Sequence, residues 1–249
     1  MLTKILKVMK KKPFNSLRVC NSQYAVLLFL LMQGIVLKTN AQDAKNLLAK
    51  TDQQFFIENK GQWPKEVLYL TKQNGLNAWI TKSGVVYDFY ELELGDAPKS
   101  EERNSIVNKN KKIIGSKGQV VKMSLLNTNS SIENNGEQKS EAYHNYFLGN
   151  DKTKWASNVG LYKEAKLKNI YDNIDERFYF DNGNIRYDYI VKPTGNVNDI
   201  KLNIEGANET RINREGELVF ITRFGEVKQA QLFTYQLIDN KKVKVASSF

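Results

Sequence analysis

The chain of 249 residues predicts an all-β fold: an antiparallel β-sandwich-like domain with long polar surface loops, behind an N-terminal signal peptide. Three observations lead there. From residue 67 onward, short runs rich in Val, Ile, Tyr and Phe recur with a period of two. Pairs such as Asn74-Gly75, Ser83-Gly84, Asn182-Gly183 and Asp239-Asn240 punctuate them as tight turns. Helical periodicity is nearly absent, so about a dozen short strands spaced roughly ten residues apart read as a sandwich.

The leader comes first. Residues 1–41 carry seven Lys or Arg and no acid. Their apolar run at 25–37 is about 13 residues, short of the roughly 20 that a spanning helix needs. Thr39 and Ala41 supply small residues at the −3 and −1 positions of a cut before Gln42. A secretory signal peptide is therefore expected over 1–41, leaving an exported mature chain without a membrane span. Met9, followed by three lysines, is an alternative start to Met1. Without the leader, 30 bases face 27 acids. The net charge of +10 belongs mostly to the leader, and no nucleic-acid partner is expected. The one cysteine, Cys20, precedes the apolar run and is no lipoprotein cysteine. The mature chain then has no thiol, which excludes thiol catalysis, zinc–thiolate sites and disulfides. Export without disulfides fits the outer surface of a Gram-negative bacterium or its surroundings.

Residues 42–54 read as a polar lead-in and 55–249 as a single β-rich domain. Strands are expected over 67–70, 78–81 and 85–90, with Trp79, Ile80, Val86, Phe89 and Tyr90 on core faces. Dense Lys, Glu, Asn and Ser make 95–118 and 127–140 surface loops, the first of them mobile, around a strand at 120–126. Further strands are expected at 165–171, 177–180, 185–191, 200–204, 218–222, 226–231 and 233–238.

Chemistry is sparse. His144 is the only histidine, so multi-histidine metal sites are excluded, and no Gly-x-Ser-x-Gly elbow offers it a nucleophile. A hydrogen-bonded place within a Tyr- and Asn-rich strand suits it better. Asp172, Asp175 and Asp181 are candidate calcium ligands, although the alternating Asp-x-Asp-x-Asp-Gly loop is missing. Asp172, Asp175 and Asp188 are the candidates for paired-carboxylate glycoside hydrolysis. Acids at strand ends and turns are ordinarily structural, and that reading is preferred. Trp63, Tyr146 and Trp155 are the candidates for stacking on a ligand, whereas Trp79 reads as buried. An aromatic ahead of a strand more often plugs the end of a sandwich, and Trp63 is read first in that role.

Ordered strings then carry a resemblance. The segment Phe56-Ile57-Glu58-Asn59-Lys60-Gly61-Gln62-Trp63 resembles the opening of the N-terminal domain of unknown function (DUF7948 type) of large secreted Bacteroidetes proteins. In those proteins it often precedes SBBP repeats and gliding-motility or type IX secretion sorting domains. Thr81 to Phe89, then Tyr143-His144-Asn145-Tyr146-Phe147-Leu148-Gly149-Asn150 with Trp155 and Ala156, are similar to later blocks. Tyr171 to Phe180, Tyr187 to Val191, Ile204 to Ala207 and Gly225 to Val227 follow in order.

The resemblance spans roughly 55–249 and brings no catalytic residues. It implies that Glu58, Asn59, Gly61, Gln62, Trp63, His144, Asn145 and Tyr146 form a structural motif. It also implies a non-catalytic secreted or cell-surface module with a scaffolding or adhesion role. No cofactor is expected beyond calcium. Its expected partners are downstream modules of the same or a longer chain, and a glycan or surface protein. Family members usually continue further, so a truncated fragment is among the expectations.

Overall fold

The computed structural model describes residues 5–6, 54–96 and 111–249. The rest of the expected signal peptide, nearly all of the lead-in and residues 97–110 of the first expected loop lie outside the described residues. In chain order the strands are β1 (Ile5–Leu6), β2 (Phe56–Glu58), β3 (Val67–Gln73), β4 (Leu76–Thr81), β5 (Gly84–Asp96) and β6 (Lys111–Leu125). Then come β7 (Glu133–Tyr146), β8 (Ala156–Tyr171), β9 (Ile174–Asp181), β10 (Asn184–Val191) and β11 (Leu202–Glu205). The last are β12 (Glu209–Ile212), β13 (Leu218–Thr222), β14 (Gly225–Gln229), β15 (Phe233–Ile238) and β16 (Lys241–Val245). Single 3-10 turns at Lys152–Lys154 and Val197–Asp199 are the helical elements among the described residues.

Ten strands make one curled antiparallel sheet in the order β10-β9-β8-β2-β3-β4-β5-β6-β11, with β7 also on β8. Two three-stranded sheets, β12-β13-β14 and β1-β15-β16, complete the fold. The turn signals act as their chemistry requires. Asn182 and Gly183 join β9 to β10, and Asp239 and Asn240 join β15 to β16, each pair with positive φ at both central residues. That geometry matches the twist of a two-residue hairpin.

Strand β8 organises the molecule. One edge carries β7 from Glu133 to Tyr146. Along the other edge lie β2, at Leu161 and Tyr162, and β9, from Glu164 to Tyr171. The sheet therefore divides at β8 and folds over on itself, which encloses the core. The main cluster takes Phe56, Tyr87, Met123, Leu167, Phe178, Tyr187 and Tyr189 from both halves, and Phe220 from β13 of the second sheet. A second, smaller cluster gathers Phe55, Ile57, Ala156, Val159 and Leu161, covered by Trp63 and Tyr146. Each of the two phases of β2 thus faces a different core.

Several expectations need correction. The strand alternation puts Ile80, Val85, Tyr87 and Phe89 into the core. Trp79, Val86 and Tyr90 lie on the opposite face and are half-buried. Residues 111–118 are strand, and so are 133–140, within stretches read as loops. Both are exposed along most of their length, so no buried face imposes an apolar alternation on them. The β5–β6 ribbon accordingly carries Leu92, Leu94, Ile113 and Ile114 in the open. Strands β1, β2, β12 and β16 also lie outside the expected set.

Candidate functional site

Asn59 closes the loop after β2 with a single amide. Its Nδ2 donates to the carbonyls of Trp63 (3.3 Å), Pro64 (2.9 Å) and Val67 (2.8 Å). Its Oδ1 accepts from the backbone N–H groups of Gly61 (3.0 Å) and Trp63 (3.2 Å). Gly61 has φ +107°, a conformation that side chains oppose. Gln62 ties the same loop, accepting from Lys60 N–H at 2.7 Å and donating to the Glu58 carbonyl at 2.7 Å. The Glu58 carboxylate reaches across to accept from Gly160 N–H at 3.2 Å.

This tied loop holds Trp63 edge-on to Trp79, 5.5 Å between centroids, and to Tyr146 at 5.4 Å. Trp63 is half-buried, so it lids the smaller cluster instead of plugging the main core. His144 Nδ1 lies 3.3 Å from the Tyr146 hydroxyl, and Asn145 Oδ1 accepts from Asn158 N–H at 2.9 Å. Of the three candidate stacking residues, Trp63 and Tyr146 meet. Trp155 packs elsewhere, edge-on to Phe147 at 5.7 Å, with its Nε1 donating to the Gly149 carbonyl at 3.2 Å. Phe147 and Leu148 are 56% and 76% exposed and Trp155 39%, which makes an apolar ridge beside the Lys152–Lys154 turn. The Lys152 ammonium sits 5.7 Å from the Trp155 ring centroid.

The acidic candidates are spread along the β8–β10 hairpins. Asp172 lies in the turn before β9 and accepts from Asn129 Nδ2 at 3.1 Å. Asp175 is buried, receiving Lys192 Nζ at 2.7 Å and the N–H of Asn169 at 3.0 Å. Asp181 stands at the far end of β9, paired with Arg186 at 2.6 Å. A strand of that length spans on the order of 20 Å, so the three are not brought around one ion. No group of three or more potential metal ligands converges among the described residues.

Asp188 is buried and accepts from the Tyr179 hydroxyl at 3.3 Å. Its cross-strand neighbour Arg177 makes a two-point pair with Glu164, at 2.7 and 2.6 Å. Burial opposes the Arg177 charge, but the bonds to Glu164 hold its proton more tightly than usual. Burial pushes the Tyr179 hydroxyl up, and the Asp188 charge adds to that. Glu164 is not among the residues singled out from the sequence, and Glu176 stands there only as a member of the acidic run 172–176. Glu176 is buried facing the core, close enough to raise the hydroxyls of Tyr87, Tyr171, Tyr187 and Tyr189 further. Glu176 shares the apolar phase of Ile174 and Phe178, which is its one sequence signal, whereas Glu164 shares the polar phase of Lys166 and Lys168 and leaves none.

No helix among the described residues is long and apolar enough to cross a membrane. The family model described as "Domain of unknown function (DUF7948)" matches residues 56–249, and the chain belongs to that family. No curated protein and no solved structure matches the chain.

Proposed function

We propose that this chain is a non-catalytic module of an exported bacterial surface protein, acting in scaffolding or adhesion, with the Phe147–Leu148–Trp155 ridge as its contact surface. The supporting observation is a division of labour among side chains. The polar groups suited to chemistry are engaged in holding backbone or one another: Asn59 and Gln62 in their loop, Asp175 with Lys192, and Glu164 with Arg177. The large groups left open to solvent on the ridge are apolar and aromatic. Such rings offer a flat apolar face to the C–H face of a sugar or to a partner protein. A glycan is the ligand proposed. The basic and then apolar leader over residues 1–41 is what supports export.

The test is binding to chitohexaose and yeast mannan by calorimetry, with Trp155→Ala beside the unaltered chain. Roughly tenfold weaker binding with an unchanged melting temperature is the expected result. Equal binding by the variant, or none by either protein, rejects the ridge. The hydrolase reading has its own check. If Asp172→Asn, Asp175→Asn and Asp188→Asn each leave a detected glycosidase activity intact, the carboxylates are not its catalysts.

A further inference from the structure

Among the described residues, the main core is uncovered along one side. Strand β11 ends the large sheet, and β6 is its one ladder partner among the described residues. Leu126 N–H donates to the Lys201 carbonyl at 2.9 Å, which fixes the ladder phase. In an antiparallel pair the bonding residues alternate, so Lys201, Asn203 and Glu205 address β6. Leu202 and Ile204 direct their backbone N–H and C=O groups away from it, along the free edge. Their side chains pack against the main core.

Beside that edge is a cleft of about 620 Å³, bounded by β11, β13, β15 and residues 245–249. Its walls include Ile200, Leu202, Ile204, Ile212 and Leu218, and no charged side chain among the described residues lines it. Polar groups in the wall are neutral, among them Asn198, Thr234 and Gln236.

We infer that the free edge of β11 and this cleft form a strand acceptor, taking one extended, uncharged segment with aliphatic residues at alternate positions from an adjoining β module. Three properties select that occupant. The unpaired groups of Leu202 and Ile204 repeat at the two-residue period of a strand. The aliphatic wall accepts the alternate side chains of such a strand, which would extend the core. A wall without charged side chains disfavours a charged segment, because its ion would lose water without gaining a side-chain partner. Addition of a strand to a sheet edge is an established mode of recognition, with backbone bonds for affinity and pockets for specificity. The inference rests on reading the chain as one module among several.

The probe is a capped neutral peptide, acetyl-Thr-Val-Ser-Val-Thr-Leu-Ser-amide, added at millimolar concentration to the full chain. Amide hydrogen exchange at Leu202 and Ile204 is the readout. Exchange there is expected to slow by roughly tenfold with the peptide. Lysine in place of the peptide's Val and Leu should abolish the effect. Ile212 is half-exposed in the cleft wall, and Ile212→Lys should also abolish it. Val120 is equally exposed but does not line the cleft, and Val120→Lys should leave the effect intact. Unchanged exchange at Leu202 and Ile204 overturns the proposal, as does slowing confined to the β7 or β16 edge. Slowing that survives Ile212→Lys also overturns it. None of these outcomes bears on glycan binding at Trp155, so the two readings fail separately.

Discussion

Asn59 shows how much structure one side chain can fix. It uses both donor hydrogens and its carbonyl oxygen on five backbone groups of a single loop. Asn59→Ala should cost about 2–3 kcal/mol in chemical denaturation, since several of those groups lose a partner where water access is limited. Asn59→Asp is the sharper test. The carboxylate keeps the bonds to Gly61 and Trp63 but faces three carbonyl oxygens with no hydrogen to offer, so it should be at least as damaging as alanine. Trp63→Ala should cost about 2–4 kcal/mol, because two edge-on aromatic contacts and the lid of the smaller cluster are lost together. A loss below the detection limit of denaturation would show that Trp63 does not hold the cluster. The opening motif was legible as residue types, whereas its bonding was not. Nothing in Glu58-Asn59-Lys60-Gly61-Gln62-Trp63 says that the amide would turn inward on five backbone groups.

At the scale of elements, β8 depends on two residues with left-handed backbone, Asn158 (φ 54°) and Asn169 (φ 57°). In each case a side chain from elsewhere captures the N–H: Asn145 at Asn158, and Asp175 at Asn169. Asn158→Gly should lie within a few tenths of a kcal/mol of the parent, because glycine adopts that conformation freely. Asn158→Val should cost about 1–3 kcal/mol for the same reason inverted. Equal stability of the two variants would remove the strain argument. Expected strands with one buried face, such as 85–90 and 233–238, are found because packing writes a two-residue alternation into the sequence. Strand β7 left no such trace because neither of its faces is buried. Its residues 133–140 join β8 through the backbone ladder and exposed polar contacts, such as Gln138 Nε2 donating to Glu164, which impose no apolar pattern. The phase of β4 is not legible from its largest side chain, Trp79. Ala78 and Ile80 occupy the inner face, and the larger ring covers the outer one.

Across the whole molecule, the core combines apolar packing with buried hydroxyls. Burial raises Tyr69 from the ordinary 10.0 to about 12 and pushes Tyr87, Tyr187 and Tyr189 upward as well. In the unfolded chain these groups ionise near pH 10, while the folded chain retains their protons. The stability this confers is complete below pH 10 and falls as the pH climbs from there through the folded-state values. Titration of tyrosinate absorbance should therefore show the exposed tyrosines ionising first. The buried group should follow in a single step coincident with loss of tertiary circular dichroism. Smooth ionisation of all twelve tyrosines before unfolding would contradict the burial.

The position of β2 carries a temporal consequence. Ile57 is paired with Leu70 on one side and with Leu161 on the other, a partner about a hundred residues later in the chain. Neither core can close until the polypeptide through β8 is present and the two distant segments have found each other. Such long loop closures are slow. An emerging chain thus remains open until β8 has been made, the state in which a polypeptide can be threaded across a membrane before it folds.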